Sequence, residues 1–167
     1  MPNAPNTQRY VISMTVIPDR TLRLSETIKS LRPQNMSKTP IRIYIPKRYE
    51  RSDVSSAPNF IKILSQITQK FEDVELIPVD EDLGPLTKMA YCVTDPLIRS
   101  QFDRVIFVDD DLIYSRKFLD QFEQRNRDCI TQSGNNLDTF TQYNTSSHNR
   151  YGLSPKVRGV SYRFKRA

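Results

Sequence analysis

Hydrophobic positions in this chain fall into short runs separated by helical stripes. Arg9 to Ile17 is rich in β-branched residues and stops at Pro18, which cannot donate to a sheet ladder, so it predicts a first strand. Leu24, Ile28 and Leu31 then recur at helical spacing before Pro33, with Thr21 or Asp19 as candidate caps. Ile41 to Ile45 alternates apolar residues with Arg42 and Tyr44, the pattern of a strand nearer a sheet edge. After a polar loop from Glu50 to Pro58, the residues Phe60, Ile63, Leu64, Ile67 and Phe71 trace one apolar helical face.

Val74 to Val79 reads as a third strand, followed by the acidic loop Asp80-Glu81-Asp82 and then Gly84-Pro85. Proline favours the first helical turn, and Leu86, Met89, Ala90 and Val93 supply the expected buried face of a helix that ends near Thr94-Asp95-Pro96. A short turn then leads into Val105 to Val108, an uninterrupted apolar run that predicts a strand buried on both faces. Phe118, Leu119 and Phe122 predict a short helix from about Ser115 to Gln124. From Asn126 to Arg150 the chain is polar and reads as loop or partly disordered, and Val157 to Phe164 is a candidate edge strand. Four alternations of strand and helix predict an α/β fold with a mostly parallel sheet. The expected division is a disordered tail over 1–8, an α/β domain over 9–125, and a polar loop with a basic C-terminal segment over 126–167 of the same domain.

Composition narrows the partners. A chain of 167 residues fits one domain but is short for a complete two-substrate enzyme, which raises the expectation of a C-terminally truncated domain. A net charge of +6 and a pI near 9.4 favour anionic partners. Two cysteines, Cys92 and Cys129, fit neither a disulfide framework nor a metal-binding spacing and read as reduced thiols. Met1 to Gln8 lacks the apolar core of a signal peptide, and no stretch is long enough to span a bilayer, so the expected location is cytoplasmic, at a membrane periphery or within a larger chain.

The chemistry concentrates at Asp109-Asp110-Asp111, three carboxylates on the carboxyl end of the most apolar strand. That edge is where open α/β sheets bind ligands. Successive side chains on a strand point to opposite faces, so Asp109 and Asp111 are expected to share a side about 6 to 7 Å apart and repel by about 2 to 3 kcal/mol at an effective dielectric of about 20. A divalent cation removes that cost, and oxygen-only donors select Mg²⁺ or Mn²⁺. The bland reading is three solvated acids at a strand end; it leaves Asp109, next to the apolar run, without an explanation. Asp82-Leu83-Gly84-Pro85-Leu86-Thr87-Lys88 is a second candidate, with helix amides and a flexible Lys88 head suited to a diphosphate. An ordinary proline-started helix is its bland counterpart. Were the two preceding strands neighbours, Lys88 and Asp111 would reach one cleft.

Thr15-Val16-Ile17-Pro18-Asp19-Arg20, Asp82-x-Gly84-Pro85-x-x-Lys88 and the apolar run into Asp109-Asp110-Asp111 together resemble the GT-A glycosyltransferases, especially small members from bacterial surface-polysaccharide systems and large DNA viruses. The similarity extends from about Arg9 to Gln124. It implies a Rossmann-like fold that binds a nucleotide-diphospho-sugar, UDP-sugar favoured, and a metal-dependent, hexosyltransferase-type activity on a glycan or other hydroxyl acceptor. The aspartates would be the family's D-x-D element. Asp111 then coordinates Mn²⁺ or Mg²⁺ with Asp109, while Asp109 and Asp110 approach ribose, donor sugar or a metal-bound water. Val16, Pro18, Arg20, Asp82 and Lys88 complete the implied donor site, and His148 is a late metal-ligand candidate whose polar neighbours favour a solvated loop instead. No catalytic base is identifiable: Glu123 and Asp138 lack a recognisable context. Alternatives are a donor-binding truncated domain without transfer, a haloacid-dehalogenase-like phosphatase, and a basic nucleic-acid-binding module. The second lacks the Gly-Thr continuation after Asp111. Against the third, Phe60, Phe71 and Phe107 fall in core patterns.

Overall fold

A computed structural model describes residues 9–32, 39–50, 59–119, 129–131 and 159–163. Strands β1 (Tyr10–Thr15), β2 (Ile41–Pro46), β3 (Val74–Val79) and β4 (Arg104–Val108) pair in parallel in the order β3-β2-β1-β4. Helices α1 (Thr21–Ser30) and α2 (Phe60–Lys70) make the first two crossovers, and α3 (Thr87–Thr94) with α4 (Pro96–Gln101) makes the third. The first two helices cover one face. Leu24, Ile28, Phe60, Leu64 and Ile67 pack there on Ile12, Met14, Ile43, Ile106 and Val108. On the other face Cys92 and Ile98 pack on Val11, Tyr44, Val105 and Phe107. All five residues of β4 are buried, as its unbroken apolar run requires.

The chain thus winds outward from β1 to β3, then crosses back over the opposite face to β4 on the far side of β1. Loops leaving β1 and β4 diverge at this reversal, which opens a crevice at the carboxyl edge.

Several expectations change. Strand β2 is interior, and β3 is the edge, where Pro78 is tolerated because its missing N–H costs no ladder bond. The polar positions that made β2 look exposed are used internally: Arg42 pairs with Glu75 and Asp95, and Tyr44 stacks on Tyr91. A helix, α4, stands where a short turn was expected, started by Pro96 and capped by Asp95 Oδ1, which accepts the Leu97 N–H. Neither Thr21 nor Asp19 caps α1. A 3-10 turn over Pro18–Arg20 leads into it, and Thr21 Oγ1 donates to the Pro18 carbonyl.

The carboxyl-terminal part differs most. Short strands β5 (Cys129–Thr131) and β6 (Gly159–Arg163) extend the sheet antiparallel, with β6 between β4 and β5, so the candidate edge strand is interior and the polar stretch contributes a strand of its own. Residues 116–119 form turns; the rest of the helix expected to Gln124, the tail over 1–8 and the loop over 51–58 lie outside the described residues. Among the described residues no helix is long and apolar enough to cross a membrane.

Candidate functional site

Strand β4 ends at Val108, so Asp109 to Asp111 stand in a turn and not on a continuing strand. The two-residue alternation that would put Asp109 and Asp111 on one side therefore does not apply. Each carboxylate instead has its own partner. Asp109 Oδ1 accepts from Lys88 Nζ at 2.5 Å. Asp110 Oδ2 accepts the Ile17 N–H at 3.1 Å, and Asp111 Oδ2 accepts from Arg20 Nη1 at 2.8 Å.

The turn itself is clamped from the helical face. Thr27 Oγ1, on α1, donates to the Asp110 carbonyl, and Tyr114 Oη accepts the Asp109 N–H at 2.7 Å. Ser30 Oγ in turn accepts the Tyr114 N–H. Asp110 is buried, and its pKa is raised from 3.8, first by the loss of water around it. The Ile17 N–H and the Arg20 charge oppose that rise, and the Asp111 charge adds to it.

Lys88 is not the flexible head the sequence suggests. It is buried, with Nζ donating to the Val108 carbonyl at 2.7 Å as well as to Asp109, while its own carbonyl accepts from Ser13 Oγ. Strands β3 and β4 are not neighbours, yet α3 crosses the sheet and delivers Lys88 to the end of β4. This inward pull rotates α3. Thr87, Lys88 and Cys92 form its buried face, whereas Leu86 is 60 % exposed and Met89 37 %, contrary to the expected face of Leu86, Met89, Ala90 and Val93.

The helix start offers less to an anion than expected. The Leu83 N–H goes to Thr87 Oγ1, that of Gly84 to Asp82 Oδ1, that of Leu86 to the Leu83 carbonyl and that of Thr87 to the Gly84 carbonyl. Positive charge at the site comes from Arg20 and Lys88. Asp82 is equally occupied: its other oxygen accepts the Glu50 N–H at 3.1 Å, so it ties the loop after β2 to the turn before α3. Gly84 permits that turn because its φ is 59°, a left-handed value that a Cβ disfavours.

Val16, Arg20, Asp82, Lys88, Asp109, Asp110 and Asp111 all line one cavity of about 520 Å³ at the crevice between β1 and β4. Pro18 does not line it; it is buried in the 3-10 turn behind the wall. His148 lies outside the described residues. Tyr49, Thr15, Ile17, Gly84, Pro85 and Leu112 complete the wall, and of these Tyr49 went unremarked in the sequence. Its place three residues beyond β2, at the ligand-binding edge, is the signal that points to it.

Four carboxylates and two cations face this cavity, which leaves two negative charges uncompensated when all are ionised. Such a wall repels a diphosphate and attracts a divalent cation. Among the described residues no three His, Cys, Asp or Glu side chains gather into a metal cage. The donor set nevertheless suits Mg²⁺ or Mn²⁺, which are held by one or two carboxylates together with phosphate oxygens and water.

Fold and cavity together define an open α/β domain with its pocket at the sheet reversal, and its fold is similar to that of solved glycosyltransferase structures. Among solved structures, the chain is similar to the mannosyltransferase PcManGT from Pyrobaculum calidifontis in complex with GDP-Man and Mn²⁺, at 6 % identity and a TM-score of 0.60 over 95 % of this chain and 45 % of that one. It is similar to S. aureus TarS 1-349 in complex with UDP, at 13 % identity and a TM-score of 0.53 over 93 % and 47 %. The WbbM bifunctional glycosyltransferase matches at 12 % identity and a TM-score of 0.51 over 98 % and 33 %. The chain therefore spans less than half the length of each. No family model and no curated protein sequence matches it.

Proposed function

We propose that this chain is the donor-binding domain of a metal-dependent, hexosyltransferase-type glycosyltransferase, which takes a nucleotide-diphospho-sugar and passes the sugar to a hydroxyl acceptor. The observation that carries this reading is the cavity at the sheet reversal, where the loops after β1, β3 and β4 and the first turn of α3 set four carboxylates against two cations. The bound UDP and UDP-GlcNAc of TarS and the GDP-Man and Mn²⁺ of PcManGT support the donor class. Uracil is the base we favour, by analogy with the resembling group.

Roles follow from position. Val16, Ile17 and Tyr49 form the apolar part of the wall, suited to the base and ribose. Arg20 and Lys88 supply positive charge for the diphosphate. Asp110 is fixed by Ile17 and Thr27 and faces ribose or sugar hydroxyls, with Asp109 beside it. Asp111, with Asp109, would hold Mn²⁺ or Mg²⁺, which when bound neutralises charge on the departing diphosphate. Asp82 acts on the site by holding its walls together.

Donor binding without transfer is a second reading, favoured by a specific observation. Every carboxylate in the cavity already accepts a hydrogen bond from a cation or an amide, and each such bond opposes the uptake of a proton that a general base requires.

Calorimetric titration of UDP, GDP and dTDP, each with Mn²⁺ and with chelator, tests the donor site. One nucleotide should bind with Mn²⁺ and lose its binding in chelator, and Asp111→Ala should abolish the Mn²⁺-dependent part while leaving thermal unfolding intact. Equal affinity in the variant, or no binding by any of the three, contradicts the assignment.

A further inference from the structure

Of the two cation–carboxylate pairs in the cavity, one is built in and one can part. Lys88 is 9 % exposed and has the Val108 carbonyl as a second acceptor, so moving it leaves buried groups unpaired. Arg20 and Asp111 have side chains 50 % and 34 % exposed, and water can replace each partner at little cost. Asp111 is also the carboxylate to which the donor-site reading gives the divalent cation, and this inference rests on that reading. A cation on Asp111 Oδ2 and the Arg20 guanidinium at 2.8 Å from the same oxygen compete for its charge and repel one another.

We infer that Arg20 is a positioning residue that couples cation to nucleotide: it neutralises Asp111 until a divalent cation takes that carboxylate, and its freed guanidinium then turns to the diphosphate. The fork of N–H donors matches paired phosphate oxygens as well as it matches a carboxylate. Arg20 thus opposes the cation when the cation comes alone and favours it when the diphosphate comes with it. Coupling of this kind is reciprocal, so each ligand tightens the other by the same factor.

The test is Mn²⁺ affinity, read from the paramagnetic resonance of free Mn²⁺, on the full chain with and without UDP or GDP, for wild type, Arg20→Gln and Arg20→Lys. Arg20→Gln should bind Mn²⁺ alone about two- to tenfold more tightly, the scale of losing one exposed ion pair. The factor by which the nucleotide tightens Mn²⁺ should fall by a comparable amount. Arg20→Lys keeps the charge but not the fork, so it should restore the weak Mn²⁺ affinity without restoring the full coupling. A merely structural lesion weakens both ligands and does not give opposite signs. Unchanged or weaker Mn²⁺ binding by Arg20→Gln, with nucleotide-dependent binding intact, overturns the inference and leaves the donor site standing. No Mn²⁺ binding by wild type with either nucleotide overturns both.

Discussion

At the scale of single residues, Asp110 sits in surroundings that oppose its ionisation. Its carboxyl is buried beside Asp111, so the folded chain holds its proton more tightly than the unfolded chain does. The resulting stabilisation is complete below the ordinary value of 3.8 and is lost as pH rises through the higher folded value. Asp110→Asn keeps an oxygen for the Ile17 N–H but never ionises. Its melting temperature relative to wild type should therefore rise as pH increases above about 4, and a difference flat in pH contradicts the burial argument. That the three aspartates would stand together at the ligand-binding edge was legible because carboxylates directly after an apolar run need partners. Which partner each one takes was not. Lys88 and Arg20 meet Asp109 and Asp111 across 21 and 91 positions of sequence, and no local periodicity carries that pairing.

At the scale of elements, the turn before α3 decides the shape of the cavity. Gly84 adopts φ 59°, and its N–H and that of Glu50 share the Asp82 carboxylate. Gly84→Ala should cost about 1 to 2 kcal/mol in denaturant unfolding, the penalty of a Cβ in the left-handed region. It should also weaken nucleotide binding, since Gly84, Pro85 and Asp82 all line the site. A loss well below this range would mean that the turn relaxes without strain. Apart from α4, the strands and α-helices from Tyr10 to Val108 were readable from periodicity and proline punctuation. The face of α3 was misread because a buried lysine displaced the leucine stripe, with its charge satisfied by Asp109 and its stem covered. Likewise β2 looked like an edge because its inward polar groups, Arg42 and Tyr44, are paired inside the protein.

At the scale of the whole molecule, the parallel half of the sheet and its reversal between β1 and β4 put the pocket where open α/β sheets hold ligands. That half followed from the sequence, because each crossover announces itself as a strand followed by a helical stripe. Of the antiparallel addition, β6 falls within the candidate strand Val157 to Phe164, but its place inside the sheet and the three-residue β5 did not follow, since β5 is short and flanked by polar sequence. The central claim, that Asp109 to Asp111 and Arg20 form a cation-assisted diphosphate site, is tested most directly by a crystal structure with Mn²⁺ and UDP or GDP, located by manganese anomalous scattering. The account predicts one manganese peak at about 2.0 to 2.2 Å from an Asp111 oxygen, roughly the spacing of a small octahedral cation, bridged to the diphosphate, with Arg20 turned from Asp111 to phosphate. Manganese bound elsewhere, or nucleotide outside the cavity, would contradict it.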